Sequence, residues 1–272
     1  MIVHDMADET YHARPELSST GARMLLPEFK GSPAKYQWDR THPRTTKAYD
    51  IGHAVHAKVL GTGLQATAYP EDLLAANGAA STKAAKEWAQ EQRANGFVPM
   101  KAVEVNIINK ITEAVLANND ARKVLELPHR ETSIFSTSPE GVKMRARFDI
   151  YGDTHAADLK TTTDASARGF LKHVIEYGYH VQEAWYRDTH RYETGADLDT
   201  FKFIAVETSG PYQVAVHELD VIFRSIGTQL AKQARDTYQR CTETGQWPGV
   251  EGELIGPPTW LLYQHEEMEL SL

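Results

Sequence analysis

A single cysteine, Cys241, stands in 272 residues. An intrachain disulfide is thereby excluded, and so is any four-thiolate zinc or iron–sulfur centre. Long apolar runs are missing as well: none approaches the ~20 residues that a membrane-spanning helix needs. The N-terminal MIVHDMADETYHARPE carries acids where a secretory signal carries a basic and then an apolar stretch, so the chain reads as cytoplasmic, with no membrane partner. No repeat period, low-complexity tract or Gly/Ser linker marks a domain boundary, and 1–272 reads as a single domain. The net charge of −8 excludes a protein coated in basic surface but not a local cationic groove. Enzymes that cut DNA with metal ions must gather carboxylates, so net charge discriminates weakly against them.

What is present is the composition of a globular chain with a sizeable core, 41% apolar, 24% charged and 9% aromatic. Residues 1–130 are mainly helical in pattern. Ser18-Ser19-Thr20 offers capping hydroxyls before GARMLLPEF. DIGHAVHAKVLG sets Ile51, Val55, Val59 and Leu60 on one helical face, and STKAAKEWAQEQRANG, with Ser81 as its cap, and KAVEVNIINKITEAVLANND continue the helical layer. From Glu131 the period becomes two. ETSIFSTS, VKMRARFDIYG and HAADLKTTT are three strand candidates separated by turn residues, and Val142, Met144, Ala146, Phe148 and Ile150 alternate with a polar face of Lys143, Arg145, Arg147, Asp149 and Tyr151. A long helix bent near Gly178, two strands joined at Ser209-Gly210-Pro211, and a helix from about Asp220 to Thr244 complete a 131–245 core; 246–272 is a tail, acidic at Glu266, Glu267 and Glu269. The order predicts an α/β (α+β) fold with a mixed central sheet flanked by helices.

The stretch RFDIYGDTHAADLKTTT places charge at strand ends, where burial is costly. On adjacent antiparallel strands Asp149 and Asp158 can approach to about 5 Å, and Lys160, two residues on, shares the face of Asp158. Two such carboxylates, with the Leu159 carbonyl beside them, suit a hard divalent ion such as Mg²⁺ or Mn²⁺. The ammonium can orient or deprotonate water, or face a phosphate. Spacing alone accommodates a self-satisfied ion cluster equally well. Arg145 and Arg147 share the face of Asp149, where guanidinium forks could bind phosphate or could neutralise the acids. Gln182 and Tyr186, at i and i+4, reach one neighbour.

Asp149 followed by Asp158-x-Lys160 resembles the core of the PD-(D/E)xK nuclease superfamily, with Phe148 where a proline often stands. The continuation DLKTTTDASARGFLKHVIEYGYHVQEAWYRD, with Tyr179, His180, Gln182 and Tyr186, resembles RecE-type exonuclease VIII. So do ETYHARPELSSTGARMLL, IGHAVHAKVLG, ETSIFSTSPEGVKMRARFD and the late GQWPG, which together span nearly the whole chain. The resemblance implies a restriction-endonuclease-like core. It further implies metal ligation by His56, Asp149, Asp158 and Leu159, with Glu131 at a second metal or a metal-bound water. Lys160 would serve the nucleophile, Gln182 and Tyr186 would support lysine or phosphate, and Ser19 and Thr20 would either contact a terminal phosphate or simply cap a helix. The activity implied is Mg²⁺-dependent, 5′-to-3′ degradation of linear duplex DNA ends by a ring-shaped homo-oligomer, leaving 3′ tails for a single-strand annealing protein. Alternatives are an endonuclease, with the lone cysteine excluding an iron–sulfur member, and a catalytically silent DNA-binding module.

Overall fold

The computed structural model describes residues 1–42, 51–252 and 255–263. The acidic positions at Glu266, Glu267 and Glu269, like Asp50, lie outside the described residues. The chain runs β1 (Ile2–Val3), α1 (Asp8–His12), β2 (Leu17–Ser18), α2 (Ser19–Met24), α3 (Pro33–Thr41), α4 (Ile51–Leu60), β3 (Gln65–Ala68), α5 (Lys83–Ala94), β4 (Phe97–Met100), α6 (Ala102–Ala117) and α7 (Asn119–Val124). Then follow β5 (His129–Thr137), β6 (Lys143–Tyr151), β7 (His155–Thr162), α8 (Ala167–Glu176), α9 (Tyr179–Thr194), β8 (Thr200–Glu207), β9 (Val214–His217) and α10 (Val221–Thr244). Among the described residues no helix is long and apolar enough to cross a membrane.

The fold is the expected mixed α/β one. Seven strands form the main sheet in the order β1-β5-β6-β7-β8-β9, with β2 added against β6. The β5–β6, β6–β7 and β8–β9 pairs are antiparallel and β7–β8 is parallel, the α8–α9 pair making the crossover. Apolar alternation along the strands supplies a core on each face. Phe201, Phe203 and Ala205 of β8 join Met144, Phe148, Trp185 and Ala231 beneath α2, α9 and α10. Ile204 and Val206 of the same strand join Val55, Ile108, Ile111 and Leu159 beneath α4 and α6.

Several local expectations shift. The N-terminal part is not purely helical: β1 and β2 are two-residue additions to the main sheet, and β3 and β4 pair in parallel as a separate two-stranded sheet. Thr82, not Ser81, caps α5, its hydroxyl accepting from Ala85 N. β5 begins two residues before Glu131. Ile150 leaves the face of Val142 to Phe148 and packs in the opposite core, while Tyr151 returns. The alternation therefore breaks at Asp149.

Gly178 divides the long helical stretch as the sequence suggests. It sits at φ 65°, a conformation that favours glycine, and a Cβ there would lie 2.8 Å from Arg23 Cδ and the Phe29 ring. Asp220 caps α10 by accepting from Phe223 N.

Candidate active site

The site lies where the sheet opens. Between β6 and β7 the ladder holds only two pairs, Ile150–Ala157 and Tyr151–Ala156. Its continuation would set Asp149 opposite Asp158, the pair that the sequence places across a regular ladder. Instead the strands part there, and Asp149 Oδ2 accepts from the Leu159 N–H at 2.8 Å. A carboxylate thus occupies the place of a ladder carbonyl. On the other side, Glu131 stands between the pairs Arg130–Ile150 and Thr132–Phe148, level with Asp149. It adopts φ 46°, an uncommon conformation for a residue with a side chain and one that clusters at functional sites. Glu131, Asp149 and Asp158 therefore form a row across three strands.

Each helical layer sends one side chain into the opening. From α4, His56 Nε2 lies 3.2 Å from Asp149 Oδ2, and its Nδ1–H donates to the Gly52 carbonyl at 3.0 Å. That bond fixes the ring's tautomer and aims Nε2 at the acids. From α9, Gln182 Nε2 donates to Asp158 Oδ1 at 2.5 Å. Lys160 Nζ lies 2.5 Å from Asp158 Oδ2. That oxygen is buried and receives no directed hydrogen bond, so the contact is an ion pair off the hydrogen-bonding direction. Tyr179, the first residue of α9, places its ring 4.6 Å from the same ammonium.

The electrostatics follow from crowding. Burial pushes the Asp158 carboxyl up and the neighbouring Asp149 charge adds to this, Lys160 opposing both. Glu131 is lifted to about 7 by burial and by Asp149. At His56 burial opposes the imidazolium, but the Asp149 carboxylate outweighs it and raises the group to about 9. Burial also acts on Asp149, where His56, Lys160 and the Leu159 N–H prevail and hold it below the usual carboxylate range. Burial pushes the Tyr186 phenol far up, with Asp158 and Asp149 contributing. Its ring packs on Phe148 at 4.8 Å and on Phe201 at 5.9 Å.

The residues expected at a metal are thus brought to one gap, where His56 meets Asp149, Lys160 meets Asp158 and Glu131 stands level with Asp149. Among the described residues no three of His, Cys, Asp and Glu form a ready-made metal shell; the candidates bond one another instead. Their chemistry nonetheless fits a hard divalent ion. All donors are oxygen or imidazole nitrogen, and Asp158 Oδ2 is a buried acceptor without a directed partner. Leu159 meets Asp149 through its N–H and pairs with Ile204 in the β7–β8 ladder.

The residues predicted to bind phosphate have protein partners in this structure. Arg145 Nη1 donates to the carbonyls of Tyr11 and Arg14. Arg147 bonds Asp8 at 2.8 Å, the Met6 carbonyl at 2.7 Å and Ser133 Oγ at 3.2 Å, with Glu131 3.7 Å away. The Tyr11 ring sits against both guanidinium groups, at 4.8 and 4.3 Å. These arginines bind the N-terminal segment to β6, and Arg147 neutralises acids. Ser18 rather than Ser19 or Thr20 caps α2, accepting from Gly21 N. Ser19 is buried, and Thr20 accepts from Arg23 Nη2 at 3.2 Å. Nothing in the local sequence signals the Tyr11 and Asp8 contacts, because their partners lie more than 130 residues away.

An opened mixed sheet with two acids and a lysine at the gap defines the class: the fold is that of a PD-(D/E)xK nuclease. Residues 25–254 match the family model of the PDDEXK-like domain of unknown function (DUF3799), and the chain belongs to that family. A solved structure similar in fold is a "putative exonuclease" from Eubacterium rectale, at TM-score 0.61 and 12% identity, the match covering 94% of this chain and 96% of that one. Comparison with curated proteins yields no match.

Proposed function

We propose that the protein is a metal-dependent exodeoxyribonuclease that hydrolyses linear duplex DNA from its ends. The observation that carries this reading is the pair Asp149 and Asp158, held in a sheet gap between an imidazole aimed by its own Nδ1 bond and an ammonium. Burial and the Asp149 charge raise the proton affinity of Glu131 and Asp158, the kind of perturbation that clusters at functional sites. The description of the Eubacterium rectale structure of similar fold as a "putative exonuclease" agrees with the reading.

Asp149, Asp158, His56 and Glu131, with the Leu159 carbonyl, would hold Mg²⁺ or Mn²⁺, which when bound lowers the pKa of water and polarises phosphoryl oxygens. Lys160 Nζ presents its protons to the attacking water or the phosphate. Gln182 Nε2 fixes one oxygen of Asp158 and so directs the other toward Lys160. Tyr186, its phenol held protonated by burial, remains a donor beneath the site.

By the RecE-type pattern of motifs, the polarity is 5′-to-3′, leaving 3′ tails for a single-strand annealing partner, and the working form is a cytoplasmic homo-oligomeric ring. The test is to incubate the protein with linear, nicked and circular duplex DNA labelled at either end, with Mg²⁺ and with chelator. Loss confined to linear DNA, metal-dependent and starting at the 5′ end, is expected. Cutting of circles would instead make it an endonuclease, and binding without turnover would make it a silent module.

A further inference from the structure

We propose that Tyr179 is a positioning residue for the Lys160 ammonium, an inference that rests on the nuclease reading of this site. Lys160 pairs with Asp158 Oδ2 at 2.5 Å, an oxygen that a metal would also take, and the Asp149 charge acts on it as well. The Tyr179 ring gives the ammonium an uncharged attraction, with Nζ 4.6 Å from the ring centroid. The negative ring face holds a cation without competing for its protons in the way a second carboxylate would.

The ring is itself fixed. It stacks on Phe203 at 5.7 Å and 22°, and lies against Phe170 at 5.7 Å. Its backbone is set by the left-handed Gly178, which leaves no room for a Cβ against Arg23 and Phe29. Arg23 Nη1 donates to the carbonyl of Tyr177, on the other side of that glycine. The Gly178 carbonyl accepts from Gln182 N at 3.0 Å. One turn therefore aims Tyr179 at Lys160 and Gln182 at Asp158, ordering both ends of the same ion pair.

The experiment compares Tyr179→Phe, which keeps the ring, with Tyr179→Leu, which keeps bulk and loses the π face. Steady-state kinetics on linear duplex DNA with Mg²⁺ would be measured together with the NMR shifts of the Lys160 side-chain protons, which a ring above them moves upfield. Expected are near wild-type kcat in Tyr179→Phe and a loss of about tenfold in kcat at unchanged KM in Tyr179→Leu. The upfield shift should persist in the former and vanish in the latter. Wild-type kcat in Tyr179→Leu, or equal losses in both variants, would overturn the proposal. If Tyr179→Leu does not fold, an absent shift in wild type or Tyr179→Phe would do the same, and its presence in both would support it. An inert wild-type protein would overturn the nuclease reading alone, leaving the shifts to decide whether the ring holds the ammonium.

Discussion

Two clusters of buried charge lie within one sheet–helix unit, and they are built on opposite plans. Between α9 and α10, acids alternate with arginines. Asp188 takes Arg191 at 2.8 Å on one oxygen and Arg235 at 2.7 Å on the other, and Glu183 takes Arg187 at 2.8 Å. At the sheet opening, acids adjoin acids: Glu131, Asp149 and Asp158 fall in a row, and two of them have their pKa values pushed up. In the first arrangement every acid has an arginine beside it, although burial still raises Glu183. In the second, carboxylates neighbour carboxylates, a repulsion that a bound cation would relieve.

The contrast makes opposite demands on mutation. Asp158→Asn and Lys160→Ala should each lower the Mg²⁺-dependent rate on linear DNA by about 10²–10⁴-fold, while the melting temperature in chelator stays level or rises in Asp158→Asn as repulsion is removed. Full activity in either variant would sink the nuclease assignment. Asp188→Ala should do the reverse. With Arg235 only 3% exposed and left with Glu140 at 3.5 Å as its remaining carboxylate, denaturant unfolding should show a loss of about 2–3 kcal/mol, with activity per folded molecule unchanged. A small stability cost there would erase the distinction between the clusters.

The gentlest test is pH. Glu131 moves from 4.5 to about 7 on folding, so the native state binds its proton more tightly and stability falls as pH rises across that interval. His56 moves from 6.5 to about 9, so its stabilising contribution is complete below 6.5 and is lost as pH rises through 9. Both act in the same direction. Their joint contribution in the metal-free protein should therefore fall from about pH 5 to pH 9, against an opposite contribution from His180 and His190, which burial lowers, and Glu131→Gln should make the profile rise more, or fall less, over the lower half of that range. Identical profiles in wild type and Glu131→Gln over this range would contradict the crowding described here.

Much of the scaffold was legible because period and punctuation are local properties. Strand β6 alternates as far as Phe148, Asp220 caps α10, and Gly178 marks a break that only a left-handed residue makes easily. Asp158 and Lys160 could be assigned to one face from the two-residue period alone. His56 was different: a histidine on an amphipathic helix carries no local mark of ligation, and only its place in a family-like motif singled it out. The two-residue strands β1 and β2 are too short to show any period.

The sequence by itself determined the elements from β5 to α10, the apolar face of β6 and the identities of the acids and lysine, because these follow from neighbours within a few positions. The tertiary structure decided which charges meet. It stopped the β6–β7 ladder before Asp149, turned Ile150 to the opposite core, and brought His56 and Gln182 to the gap from opposite layers. It also gave Arg145 and Arg147, which look free on the strand, to the carbonyls and acid of the N-terminal segment. Side-chain period is set by the backbone of a single strand, whereas the partner of a charge is set by whatever distant segment packs against it.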